Sequence, residues 1–394
     1  MTTTEPVYDP FSYLLHEDPY PTYAWMREHA PLYRNESRNF WALSRYADVQ
    51  AALRNPGLFS SRNGISLEPD LWGPEAEKTS FYLAMDPPRH GRMRRLTGSV
   101  FKPRWVQTME PRIRELARAR LAPLRDGGTF DLADFGAALP HDVMCELIGI
   151  PAADRDALRV DNDLLNHCED GLETRSAATL AAGFRLAVYY VSLINDRRRQ
   201  RRDDLLSTML DTETEEGPLT DGQLVAFLFL MVSATNESTG KQIGIALHHG
   251  WRLPEVRRAG LNGRAADWCD ESLRFDSPSQ MMARTLTEET VLHGERLPAG
   301  ARVALLPASG NRDERVFADP DVFALDRDTS AMISFGLGPH FCPGAGLARL
   351  EITIALQEFG ALVSDYEIDM DRARLVHSPH QRGFLSLPAT VTRR

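Results

Sequence analysis

The stretch from Phe335 to Glu351 (Phe-Gly-Leu-Gly-Pro-His-Phe-Cys-Pro-Gly-Ala-Gly-Leu-Ala-Arg-Leu-Glu) constrains this chain more than any other. Gly336, Gly338, Gly344 and Gly346 allow tight turns or close backbone approach, and Pro339 and Pro343 fix the local path. An amphipathic helical pattern begins directly after Cys342. A loop of this kind aims one sulfur rigidly. At a helix N-terminus a thiolate is stabilised by free backbone N–H groups and by the dipole, which lowers the thiol pKa and suits a metal ligand. A buried, inert cysteine beside a glycine-rich turn is the competing reading for a lone cysteine.

The chain has 394 residues, 43% hydrophobic and 25% charged, enough to bury a large core. No Ser/Gly-rich or Pro-rich linker divides it, so one domain over 1–394 is expected, mainly α with small β-sheets. The β-rich portions fall near 31–46, 280–307 and 375–390. A formal net charge of −10 argues against general nucleic-acid binding. Cys145, Cys168, Cys269 and Cys342 lie far apart without a Cys-x-x-Cys pair, which suggests neither a zinc site nor a disulfide framework. The longest apolar run, Leu224 to Val232, is too short to span a bilayer, and the N-terminus lacks a signal-peptide pattern. A cytoplasmic protein without membrane contact is therefore expected.

Residues 59 to 84 read as a long irregular loop of the kind that often binds ligands. Asp86 is placed to cap a helix opened by Pro87 and Pro88, on which His90 and Arg94 share one face. Two donors on one face can clamp a carboxylate or phosphate, although a solvated basic face also explains the run. Leu164, Leu165 and the apolar face of Phe184 to Ile194 are candidates for a cavity lining, as is Phe384 in a C-terminal hairpin. Thr220 and Gln223 form a capping box, and helical periodicity continues to about His249, a length of about 43 Å. Its middle breaks the apolar pattern with Thr235, Asn236, Glu237, Ser238 and Thr239. Buried polar groups there are costly unless satisfied, and such violations mark functional sites. Hydroxyls bonded back to helix carbonyls would account for them without function.

Phe335, Gly336, Gly338, His340, Cys342 and Gly344 match the pattern Phe-Gly-x-Gly-x-His-x-Cys-x-Gly, and the run resembles the cysteine-ligand loop of the cytochrome P450 family. Four further stretches between 18 and 390 resemble that family in the same order. The resemblance implies the single-domain cytochrome P450 fold, with haem b (iron protoporphyrin IX) between the long central helix and the cysteine-loop helix. Cys342 would be the iron ligand, and His90, Arg94 and Arg284 would hold the propionates. Phe335, Gly336, His340, Gly344 and Ala234 would complete the cofactor site. Ala234, Glu237 and Thr239 match the family's oxygen-activation stretch, while Thr235 replaces the usual glycine and Ser238 the usual threonine. Glu237 would relay protons, and Ser238 would hydrogen-bond dioxygen or water. Glu271, Arg274 and Arg327 would form the family's structural acid–base network, and Met281 and Met282 would face the substrate. The implied activity inserts one oxygen atom from O2 into a small apolar organic substrate. No flavin or nicotinamide fingerprint is present, so electrons would come from a separate ferredoxin or flavodoxin-type donor. The departures at Thr235 and Ser238 keep a peroxide-driven or non-oxidative haem enzyme, or a non-catalytic haem protein, in competition.

Overall fold

The computed structural model describes residues 5–126, 128–215 and 217–394, with side chains for all of these except 99, 125, 126, 236 and 237. Helices dominate, and the strands gather into small sheets toward the edges. The largest sheet has five strands in the order Leu32–Asn35, Phe40–Leu43, Arg302–Leu305, Met282–Leu286 and Phe59–Ser60. It joins chain ends far apart in sequence: Phe40–Leu43 runs parallel to Arg302–Leu305 and antiparallel to Leu32–Asn35. The expected turn at His293-Gly294 closes a hairpin in which Leu292 opposes Glu295. Both turn residues have positive φ, 50° and 84°.

Five strands escape the expected β-rich portions: Phe59–Ser60, the short pair Glu213–Thr214 and Gly217–Pro218, and two of a second sheet. Gly128–Asp131 and Val363–Ile368 flank Pro388–Arg393 in a three-stranded sheet. The second follows helix Ala345–Leu362 with no breaker between them, which hides the change from helix to strand in the sequence.

The central helix starts as the capping box requires. The Thr220 hydroxyl accepts from the Gln223 amide at 3.2 Å, and the Gln223 side chain accepts from the Thr220 amide at 2.9 Å. It is not one uniform helix, however. Asp221–Ala234 and Lys241–Arg252 are α-helical, and Thr235–Gly240 between them is π-helical, a form that recurs at functional sites. Helix Leu132–Ile148 crosses at this joint. A Cβ on Gly136 would lie 2.6 Å from the Gly240 carbonyl oxygen, and one on Gly240 would lie 2.8 Å from the Ala137 Cα. Both positions must therefore be glycine for the backbones to meet.

Helix Ala177–Arg199 is the one described helix long and apolar enough, by length and composition, to cross a membrane. It packs on helices Ala152–Leu165 and Asp221–Ala234. Phe184, expected in a cavity wall, is 71% exposed on its outer face, while Leu186, Tyr190 and Ile194 pack in the core.

Candidate active site

A cavity of about 630 Å³ lies between the central helix and the cysteine loop with its helix. Phe229, Ala234, Thr235, Ser238 and Thr239 contribute from the first, and Phe335, His340, Cys342, Gly344 and Leu347 from the second.

The loop is held by its own backbone. Gly336 and Gly338 both sit at φ 68°, and at Gly338 a Cβ would come within 2.6 Å of the Leu53 carbonyl oxygen. The Cys342 amide donates to the Phe335 carbonyl at 2.8 Å, folding the loop back under the sulfur. Arg349 lies over the Phe335 ring at 4.8 Å. Backbone N–H groups of Gly344 and Ala345 donate to the sulfur, as expected at a helix start. Their pull is nevertheless outweighed: burial raises the Cys342 thiol, where the sequence suggested a lowered one. The amides and the nearby Arg94 charge favour the thiolate, but burial outweighs them.

Beside the loop lies a corner rich in buried bases. The His90 and His340 rings are 3.9 Å apart between centroids. Burial, then the neighbouring cations, pushes His90 to about 4 and His340 to about 2, so both are neutral at physiological pH. Arg94 donates one Nη1 hydrogen bond, to the Pro339 carbonyl at 2.8 Å. Arg284 is 4% exposed, and its bonds go to the Ala283 carbonyl at 2.8 Å and the Met282 sulfur at 3.6 Å. Among the described residues no carboxylate pairs with Arg284, and burial lowers its guanidinium to about 10. The His90 Nε2 is buried without a partner. Asp86, the expected helix cap, does not cap: its carboxylate accepts from the Ser60 hydroxyl and the Ser61 amide instead, and the helix Arg89–Thr97 starts from Pro88. A partner across the chain satisfies that carboxylate better than the orphan amides of its own helix.

At the π-helical joint the Ser238 hydroxyl donates to the Ala234 carbonyl at 2.8 Å, and the Thr235 hydroxyl to the Met231 carbonyl at 2.9 Å. Each hydroxyl keeps its oxygen lone pairs for a donor in the cavity. The side chain of Glu237 lies outside the described residues. Beneath the cavity, Glu271 and Arg274 form a fully buried bidentate pair at 2.7 and 2.8 Å, and Arg327 joins Glu271 at 3.1 Å.

A profile of the family described as Cytochrome P450 matches residues 266–391. The chain is 42% identical to the putative cytochrome P450 123 of Mycobacterium tuberculosis over 99% of its own length and 98% of that protein's. The chain belongs to the cytochrome P450 family. It is also 34% identical to the vitamin D(3) 25-hydroxylase of Pseudonocardia autotrophica, covering 99% of this chain and 98% of that one. Its fold matches the structure of cytochrome P450 CYP109Q5 from Chondromyces apiculatus with a TM-score of 0.86 at 30% identity, over 98% of both chains. The chain is thus a haem-thiolate monooxygenase of the P450 type, using O2, an organic substrate and a redox partner.

The residues of this P450 fit a haem. A lone sulfur cradled by two amides faces the cavity, and the adjoining corner holds two arginines and an orphaned imidazole nitrogen suited to carboxylates. Met281, Met282 and Leu165 line the cavity as expected, and so do residues of the 59–84 segment, including Ile65, Leu71 and Leu83. Leu164 is not in the wall, and Phe384 packs on His248 at 4.9 Å within the core. Sequence reading assigned no role to Arg175, Glu351, His380 or Gln381, which also line the cavity. Of these only Glu351, the last residue of the cysteine-loop motif, carried a sequence signal.

Proposed function

We propose that this P450 inserts one oxygen atom into a small, largely apolar organic substrate, by hydroxylation or epoxidation, in the cytoplasm. The observation that carries the proposal is the Cys342 sulfur, fixed at the wall of an apolar cavity beside a buried basic corner in which no carboxylate pairs with Arg284 among the described residues. Cys342 would ligate the iron of haem b, with His90, Arg94 and Arg284 holding its propionates. Phe335, Gly336, His340 and Gly344 would shape the loop beneath it, and Ala234 would set the closest approach of the central helix. When bound, the haem supplies the activation of dioxygen, to which a thiolate ligand lends electron density.

The protein's own groups do the rest. Leu165, Phe229 and Leu230 exclude water and position the substrate. The Ser238 hydroxyl donates to its own helix and so offers its oxygen to a proton-bearing water, and Glu237 would relay protons. Electrons would come from a ferredoxin or flavodoxin-type donor. Arg95 on helix Arg89–Thr97, Lys102 at the start of helix Pro103–Thr108 and Arg104 within it are exposed, the latter helix packs on the cysteine-loop helix, and the three suit an acidic partner. The test is the spectrum of the reduced protein under carbon monoxide, expected at about 450 nm for thiolate ligation. Cys342→Ser abolishes that band while leaving the fold intact by circular dichroism. An unchanged band would exclude Cys342 as the ligand.

A further inference from the structure

The cavity wall also carries a cation that oxygen chemistry does not use. Arg175 lies on the connection between helices Ala152–Leu165 and Ala177–Arg199, and it lines the cavity. Its Nε is buried without a partner, and it makes no hydrogen bond or ion pair among the described residues. The connection around it is pinned. Arg38 holds the Gly171 carbonyl and the Glu173 carboxylate, each at 2.9 Å, and the Ser176 hydroxyl caps the following helix at 3.1 Å. The backbone is thus secured on both sides of a half-buried arginine whose Nε is left without a partner.

The same connection packs on the C-terminal loop through the Cys168 amide, which donates to the His377 carbonyl at 2.9 Å. That loop presents two more orphans to the cavity, His380 Nδ1 and Gln381 Oε1, both buried and unpartnered. The other nitrogen of His380 faces Glu68 at 3.6 Å, a carboxylate already engaged by the Ser66 hydroxyl at 2.8 Å. Buried polar groups are normally hydrogen-bonded. Three unpartnered polar atoms, on two segments that touch at Cys168 and His377 and that both line the cavity, match the polar end of a ligand.

Charge selects which polar end. The chain carries a net charge of −10, yet the one carboxylate among the described lining residues is Glu351, on the cysteine-loop helix. Of the lining cations, Arg94 belongs to the propionate corner, which leaves Arg175 and Lys78. Lys78 is largely exposed and paired with Glu75, so Arg175 is the remaining lining cation with a buried, unpartnered nitrogen. Its planar fork matches a carboxylate bidentately. The same cavity is lined by apolar side chains, among them Leu165, Leu230 and Met231.

We propose that Arg175 anchors the carboxylate of an otherwise hydrocarbon substrate, with Gln381 and His380 completing the polar cap. The proposal rests on the oxygenase reading above and narrows its substrate class to amphipathic carboxylic acids. Dodecanoic, hexadecanoic and cholanic acids, each beside its methyl ester, are titrated into the ferric holoprotein. Binding is read by the optical spin-state change and by calorimetry, which registers ligands that leave the spin state unaltered. At least one acid binds about 10- to 100-fold more tightly than its ester. Arg175→Gln brings the acid down to the affinity of the ester and leaves the ester unchanged, and Arg175→Lys restores part of the preference. Equal binding of acid and ester in every pair, no binding of any acid, or a preference that survives Arg175→Gln would overturn the proposal. The carbon monoxide band of each variant reports Cys342 ligation independently, so loss of the oxygenase reading is distinguishable from loss of the anchor.

Discussion

Replacing Arg284 by methionine should move two properties of this P450 in opposite directions. The guanidinium is 4% exposed, and burial brings its pKa from the usual 12.5 to about 10, with Asp86 a partial offset. At about 1.4 kcal/mol per pKa unit, holding that charge in the folded protein costs about 3 kcal/mol. Methionine removes the charge and keeps much of the volume. The two bonds it gives up, to a carbonyl and a thioether, contribute about 1 kcal/mol together. The apoprotein is therefore expected to gain about 2 kcal/mol, measured by urea denaturation. Haem binding should lose about 1.5–3 kcal/mol, the contribution of a charge-assisted hydrogen bond to a propionate. Transfer of haem to apomyoglobin would show this as a rate increase of roughly tenfold or more. A destabilised apoprotein together with an unchanged transfer rate would refute the reasoning, because it would mean that the protein itself already satisfies Arg284.

Two further substitutions probe the cavity walls. Ser238→Ala should leave haem content and ligand affinity intact while product formed per electron falls and hydrogen peroxide rises, with turnover lowered by roughly 10²-fold. Unaltered peroxide yield would assign the hydroxyl to its helix carbonyl alone. Glu351 is buried with one oxygen unpartnered, and burial raises its carboxyl well above the usual range. The folded protein then keeps this proton where the unfolded chain, with a pKa of about 4.3, has released it. Stability present below that pH is lost as pH rises, by up to about 1.4 kcal/mol per unit until the folded value is reached. Glu351→Gln has no such dependence, so its stabilising effect should grow from pH 5 to pH 8 in denaturant titrations. A difference that stays flat across that range would show that Glu351 is ionised in the fold.

The features legible in the sequence were those whose physics is local. The capping box at Thr220, the turn at His293-Gly294 and the glycine-locked loop around Cys342 are each decided by a few neighbouring residues. The Glu271–Arg274–Arg327 network crosses the chain, and it was read from family resemblance because an i, i+3 pair alone carries little information. What escaped depends on distant partners. Asp86 is claimed by Ser60 and Ser61, Phe384 by His248, and Phe184 faces outward because the same helix also offers Leu186 and Tyr190 to the core. Strand Val363–Ile368 alternates exposed and buried positions only from Asp365 on, after a register shift, and it continues an apolar helix without punctuation. Arg175 shows nothing in its neighbourhood to set it apart from any surface arginine. Its meaning comes from the cavity that helices Ala152–Leu165 and Ala177–Arg199 bring to it.

The π-helical turn at Thr235–Gly240 also has a geometric consequence. A regular α-helix advances about 100° per residue, and a wider turn takes up about one residue more, so the two halves of the central helix run out of phase with each other. They also serve different cores. Phe227 and Leu228 pack with Tyr190 and Leu206, whereas Ile243 and Leu247 pack with Trp268 and Phe359. The joint therefore acts as a rotary coupling that lets one continuous rod present its apolar sides in two directions. Removing a single residue from 235–240 would relax the wide turn to α geometry with nearly the same total rotation, so Ile243 and Phe227 would both keep their cores, whereas removing one from either α-helical half would swing the rod by about 100°. The wall facing Cys342 is thus the place along this rod where one residue can be lost with both cores kept, and the shortened chain should fold while losing the widened turn beside the cavity.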